Sequence, residues 1–151
     1  MTPKVSVVIP NYNHAPYLKE RIDSVLNQTF QDFELIILDD CSPDNSRDII
    51  NSYASNPHVS HIVFNEVNTR NTFIQWERGV QLACGEYIWI AESDDVAECD
   101  FLQTLVEQLE KTPTAVVAYS HSTMIGSDGK ELSYTWHKKG SSGAINIFES
   151  N

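Results

Sequence analysis

Apolar residues follow two alternating rhythms along this chain. Short β-branched runs read as strands, and stretches with apolar residues three or four apart read as helices. The first run, "KVSVVIP" (4–10), stops at Pro10. A helix is predicted over 17–28, with Leu18, Ile22, Val25 and Leu26 at helical spacing. "FELIILDD" (33–40) is almost continuously apolar, as in a strand covered on both faces. "SPDNSRDIINSYA" opens with turn and cap residues and continues as a helix to about Ser55. "HVSHIVFN" (58–65) reads as a third strand. Residues 72–84 read as a helix with Trp76, Val80, Ala83 and Cys84 on one face, stopped by Gly85. "EYIWIA" (86–91) is a fourth strand. Asp100 suits the N-cap of a helix that turns Leu102, Leu105, Val106 and Leu109 inward. "TAVVAYS" (114–120) is a fifth strand, and Ser127-Asp128-Gly129 closes a hairpin.

Strand and helix alternate, so the fold class is α/β: a mostly parallel sheet with helices on both faces. In such sheets ligands bind beyond the carboxyl ends of the strands, where the strand order reverses. After Tyr134 the pattern fades into Gly- and Ser-rich sequence. The expected organisation is a core over 1–134 and the start of a further, incomplete region over 135–151.

Composition narrows the function classes. The chain has 151 residues, enough for a real core, and its balance of 41% hydrophobic and 21% charged residues is that of a globular domain. The formal net charge is −11, and the ten Lys and Arg are scattered except for Lys138-Lys139. A nucleic-acid backbone therefore finds no basic stripe. No apolar run approaches the roughly 20 residues of a membrane helix. Three cysteines without metal spacing disfavour disulfides and zinc, and fit a reducing cytoplasm. None of the six glycines forms GxGxxG or GxxxxGK, which disfavours dinucleotide and P-loop sites. His58 and His61 sit three apart on a strand and point to opposite faces, so they do not share a metal.

The chemistry gathers at three strand ends. Pro10-Asn11-Tyr12-Asn13 follows the first strand, Asp39-Asp40-Cys41-Ser42-Pro43-Asp44 the second, and Glu92-Ser93-Asp94-Asp95 the fourth. Two carboxylates about 5 Å apart repel by roughly 3 kcal/mol at an effective dielectric of 20. A divalent cation removes that cost. All-oxygen donors select Mg²⁺ or Mn²⁺, which typically use one or two carboxylates and leave the remaining shell to phosphates. Each acid alone reads equally well as a helix cap or solvated turn. Asp44 suits that role, and Asp39 suits the role of orienting its neighbour. Tyr12 is either a lid on the core or a stacking surface for a base. Asp40 could accept a ring N–H from uracil or guanine.

Together these residues resemble family 2 glycosyltransferases of the GT-A fold. The resemblance covers roughly 3–130 and is carried by "VSVVIPNYN", "SVLNQTFQDFELIILDDCSPDNS", "NTRN", "GEYIWIAESDD" and "VVAYS". It implies a nucleotide-sugar donor, with a UDP-sugar favoured. Pro10 and Tyr12 match the loop that holds the base, Asp40 the carboxylate that reads it, and Asp94 the ribose contact. Asp95, with Glu92, matches the motif that binds Mn²⁺ or Mg²⁺. Arg70 and Asn71 fall in a segment near the nucleotide. Many members carry Asp where this chain has Glu92.

The implied reaction is transfer to a saccharide or lipid-linked acceptor, with inversion. Members of the family are longer, so the chain is expected to be the donor-binding part of a larger enzyme, with the acceptor pocket and general base beyond it. The expected location is cytoplasmic, at the inner face of the membrane if the protein associates peripherally. Lys138-Lys139 is a candidate phospholipid contact, with a solvated turn as the simpler reading. Two rivals stand beside the enzyme. A nucleotide-sugar sensor without activity would keep the same donor residues. A Mg²⁺-binding receiver domain would need Asp after the third strand and a late Lys, where this chain has "FNEVN" and no Lys after "VVAYS".

Overall fold

The computed structural model describes residues 2–132. Residues 135–151, including the candidate contact Lys138-Lys139, lie outside the described residues. Four strands form one parallel sheet: β1 (Val5–Asn11), β2 (Phe33–Asp39), β3 (Val59–Phe64) and β4 (Tyr87–Ile90), in the order β3-β2-β1-β4. The crossovers are α1 (Ala15–Leu26), α2 (Ser46–Ser52) and α3 (Thr72–Leu82). The first two crossovers step the same way along the sheet, and the third returns past β2 and β1 to reach β4. Right-handed connection therefore puts α1 and α2 on one face and α3 on the other. Accordingly α1 packs on α2, while α3 packs on β1 and β2. The strand order reverses between β1 and β4, which is where such a sheet opens a crevice.

Every residue of β1 and β2 is buried. Each strand has a neighbour on both sides and helices above and below, which is why both read as continuous apolar runs. Beneath α3, Val8, Ile36 and Leu38 form a core that Val63, Leu82, Ala83 and Ile90 pack against. On its own side α1 buries Leu18, Ile22 and Val25, and also Arg21.

The inward face of α3 differs from the one its apolar residues suggest. Gln75 and Gly79 are buried, whereas Val80 is 46% exposed and Cys84 is exposed. A Cβ at Gly79 would lie 2.3 Å from Val8 Cγ1. The helix backbone rests directly on the sheet there, so the contact centres on the smallest residue and rotates Val80 outward, while Cys84 lies beyond the end of the helix at Leu82.

The chain divides into two compact units, Met1–Asp100 and Phe101–Asn151. The second opens with α4 (Phe101–Lys111), in which Leu102 and Val106 are buried. Gln103 and Lys111 both donate to Glu107, at 2.7 and 3.2 Å. The expected fifth strand over 114–120 does not form among the described residues, and Val116 is 69% exposed. A strand needs a run of paired N–H and C=O groups, which apolar residues alone do not supply. The hairpin is present: Ile125 bridges Glu131 in antiparallel fashion, and Gly129 takes the left-handed φ of 74° that its turn requires.

Candidate active site

The carboxyl ends of β1, β2 and β4 and the segment after β3 surround one cleft of about 570 Å³. Pro10, Tyr12, Asp40, Arg70 and Glu92 all line it. Residues separated by more than 80 positions are thus brought together, as the strand order requires. Asp94 and Asp95 are exposed in the turn that follows Glu92 and Ser93, and are not among the lining residues.

The first two loops are stitched by a buried network. Asn11 Nδ2 donates to Asp39 Oδ1 at 2.8 Å and to Ser42 Oγ at 3.1 Å. The Ser42 amide donates to Asp39 Oδ2 at 3.0 Å, and the Asn13 amide to Ser42 Oγ at 2.9 Å. Asp39 thus orients its neighbours. Asp44 accepts from the amides of Ala15 and Ser46, at 2.9 and 3.0 Å, which is turn and cap chemistry. Tyr12, 48% exposed, stands at the mouth of the cleft.

Asp40 is only 5% exposed. Its Oδ1 accepts from Asn65 Nδ2 at 2.7 Å, the Thr69 amide at 3.0 Å and Gln75 Nε2 at 3.0 Å. Its Oδ2 accepts from Thr69 Oγ1 at 2.8 Å and shares the Thr69 amide at 3.1 Å. A carboxylate offers about four lone-pair sites. Asp40 thus spends its acceptors on residues 65–75, the wall of the cleft that carries Arg70. That wall is tightly wound: Arg70 has φ 56°, its amide donates to Asn68 Oδ1, and Asn71 Oδ1 caps α3 by accepting from the Phe73 amide.

The acidic turn is held from below. Arg21 Nε donates to the Glu92 carbonyl at 2.7 Å, and the guanidinium carbon lies 5.2 Å from the centre of the Trp89 ring. Arg21 Nη2 comes within 4.0 Å of Asp95 Oδ2. Burial draws the Arg21 guanidinium below its ordinary pKa, and the charges of Asp95, Asp94 and Glu92 oppose that shift. Trp76 Nε1 donates to Glu92 Oε1 at 2.8 Å. Burial raises the Glu92 carboxyl; the Trp76 bond works against this, and the charges of Asp94 and Asp95 add to it. Buried Ser93 pairs its Oγ with His14 Nδ1 at 2.8 Å, tying the β4 turn to the β1 loop.

These donors suit a hard cation. Among the described residues no three His, Cys, Asp or Glu side chains form a closed cage. Mg²⁺ and Mn²⁺ need none, since one or two carboxylates with water and phosphate complete their shells. Exposed Asp94 and Asp95 offer such carboxylates.

Sequence reasoning missed Arg21, His14, Trp76, Thr69 and Gln75 as site residues. Only Arg21 left a readable signal. It lies three residues after Leu18 and four before Val25, a charge on an inward helix face, and such charges need a partner.

A parallel sheet with a cleft at its switch point is the architecture of a doubly wound α/β domain, and similar solved structures are GT-A glycosyltransferases. The chain belongs to the family described as "Glycosyl transferase family 2", whose sequence model matches residues 6–148. It is 33% identical over 134 residues to glycosyltransferase GlyG of Streptococcus pneumoniae, a match covering 89% of this chain and 44% of that protein. Staphylococcus aureus TarS in complex with UDP-GlcNAc has a similar fold, with a TM-score of 0.65 and 27% identity over 72% of this chain and 31% of that one. The mannosyltransferase PcManGT from Pyrobaculum calidifontis, in complex with GDP-Man and Mn²⁺, has a TM-score of 0.67 and 25% identity over 76% of this chain and 34% of that one. The chain spans about half or less of the length of the curated relatives it matches. Among the described residues no helix is long and apolar enough to cross a membrane.

Proposed function

We propose that this chain binds the donor in a metal-assisted glycosyl transfer, taking a nucleotide-diphosphate sugar, with UDP-sugars favoured. The observation that carries the reading is the juxtaposition of an exposed aromatic, Tyr12, with Glu92 and Ser93, which open the acidic turn, across one cleft at the switch point of the sheet. Relatives solved with UDP-GlcNAc and with GDP-Man and Mn²⁺ support it. In this reading Tyr12 stacks on the base against Pro10. Asp40 holds the wall that bears Arg70, and a base N–H would share an oxygen with Thr69. Asp94 reaches the ribose, and Asp95 holds Mn²⁺ or Mg²⁺. The cation, when bound, offsets charge on the leaving diphosphate.

The acceptor, a saccharide or lipid-linked sugar, presents a hydroxyl to the anomeric carbon opposite the diphosphate. The new C–O bond forms as the bond to phosphate breaks, so configuration inverts, and a carboxylate takes the hydroxyl proton. None of the described residues is assigned as that base. The reading puts the reaction on the cytoplasmic side, at the membrane surface when the acceptor is lipid-linked.

Calorimetric titration of UDP and GDP, with and without Mn²⁺, tests the proposal. Mn²⁺ should strengthen binding to the native protein, and Asp95→Ala should remove roughly tenfold or more of that gain. Nucleotide affinity that ignores Mn²⁺ in both proteins would refute it.

A further inference from the structure

Glu92 opens the acidic turn, yet both its ends are committed elsewhere. Its carbonyl accepts from Arg21 Nε at 2.7 Å, on α1. Its Oε1 accepts from Trp76 Nε1 at 2.8 Å, on α3. Those helices lie on opposite faces of the sheet. The two faces are already marked within β4, where Ile90 packs into the core beneath α3 and Trp89 lies against Arg21.

We propose that Glu92 is a positioning residue, a strut that clamps the acidic turn between the two helix layers and so presents Asp94 and Asp95 to the cation. The inference rests on the functional reading above, in which those two aspartates serve the nucleotide and its metal. The indole N–H is a donor only, so it needs an oxygen at that reach, which a neutral amide also supplies though it bonds less strongly than a carboxylate. Gln supplies such an oxygen. Asp is one methylene shorter, and drawing the acceptor back by about 1.5 Å breaks the hydrogen bond. The Arg21 end gives the strut a fixed base. Arg21 is only 3% exposed and its guanidinium lies over Trp89, so the backbone of the turn cannot drift without stripping Nε of its acceptor.

A ligand and a strut predict opposite orders of tolerance. The test uses the full chain with Glu92→Gln, Glu92→Asp and Trp76→Phe, each checked for an unaltered thermal melt. Two signals are read: the Trp76 indole ¹⁵N–¹H resonance in metal-free protein, assigned through Trp76→Phe, and the gain in UDP affinity produced by Mn²⁺. For a strut, Glu92→Gln keeps the indole bonded and retains most of the gain. Glu92→Asp shifts the resonance toward that of a free indole. Glu92→Asp and Trp76→Phe each lose about tenfold of the gain.

Loss of the gain in Glu92→Gln with retention in Glu92→Asp would make Glu92 a ligand and overturn the proposal. So would a gain that survives in all three variants, or one lost equally in all three. If the native protein shows no Mn²⁺ gain, the functional reading falls. The strut is then decided by the indole signal alone: movement in Glu92→Asp with retention in Glu92→Gln upholds it, and any other pattern overturns it.

Discussion

Replacing Asp40 with Ala tests how the wall of the cleft is built. The substitution removes the acceptor for Asn65 Nδ2, the Thr69 amide, Thr69 Oγ1 and Gln75 Nε2 together. A buried donor left without a partner costs about 1–3 kcal/mol. The four do not add, because half-buried Thr69 can turn to water once released. Breaking one side of a buried charged network costs about 3–5 kcal/mol, and the same range is expected here. For a chain of this length that lowers the melting midpoint by roughly 6–20 °C. Asp40→Asn keeps one acceptor oxygen and should lose about half as much. Differential scanning calorimetry or urea unfolding measures both. A second arm separates a wall from a base reader: below the melt, Asp40→Ala should weaken UDP and CDP alike, because Arg70 and Asn71 lose their support, whereas loss of a base contact alone would spare CDP, whose cytosine has no ring N–H to donate. A midpoint within about 3 °C of the native one, or a loss confined to one nucleotide, would refute the reasoning.

Other tests address the scaffold. Gly79→Ala forces a methyl to within 2.3 Å of Val8 Cγ1 and should destabilise by about 1–3 kcal/mol in urea unfolding; combining it with Val8→Ala should recover part of the loss. Buried Glu34 accepts from Ser6 Oγ at 2.6 Å and the Cys84 amide at 2.8 Å. Burial works to raise its carboxyl, but bonds from Ser6, Ser60 and Cys84 outweigh that and hold its pKa below the ordinary carboxylate value. The folded value therefore lies below the unfolded one. Its stabilisation is complete above the unfolded value and is lost as pH falls through the folded one. Glu34→Gln should flatten stability against pH below about pH 4 in acid titration of the melting midpoint, and an acid limb as steep as the native one would count against this role.

The strands, their parallel arrangement and the rim of acids were legible because each leaves a local mark. β1 and β2 are wrapped on all sides, so burial erases their alternation and leaves unbroken apolar runs. Pro10, Tyr12, Asp40 and Glu92 each stand just where such a run stops, and topology delivers strand ends to a common edge. What the chain could not announce was who bonds to whom. Arg21 meets the Glu92 carbonyl across 71 positions, and Trp76 reaches the Glu92 side chain from the opposite face of the sheet. The apolar stretch 114–120 signalled a strand that does not form among the described residues, because an extended ladder depends on long-range pairing that local pattern does not encode. The face of α3 went astray for a related reason: helical spacing marks large apolar residues, while the tightest contact with the sheet is made by Gly79, which has no side chain to mark it. Periodicity records how each residue meets its nearest chain neighbours. Hydrogen-bond direction and close backbone approach depend on which elements the sheet order brings together, and only the folded chain decides that.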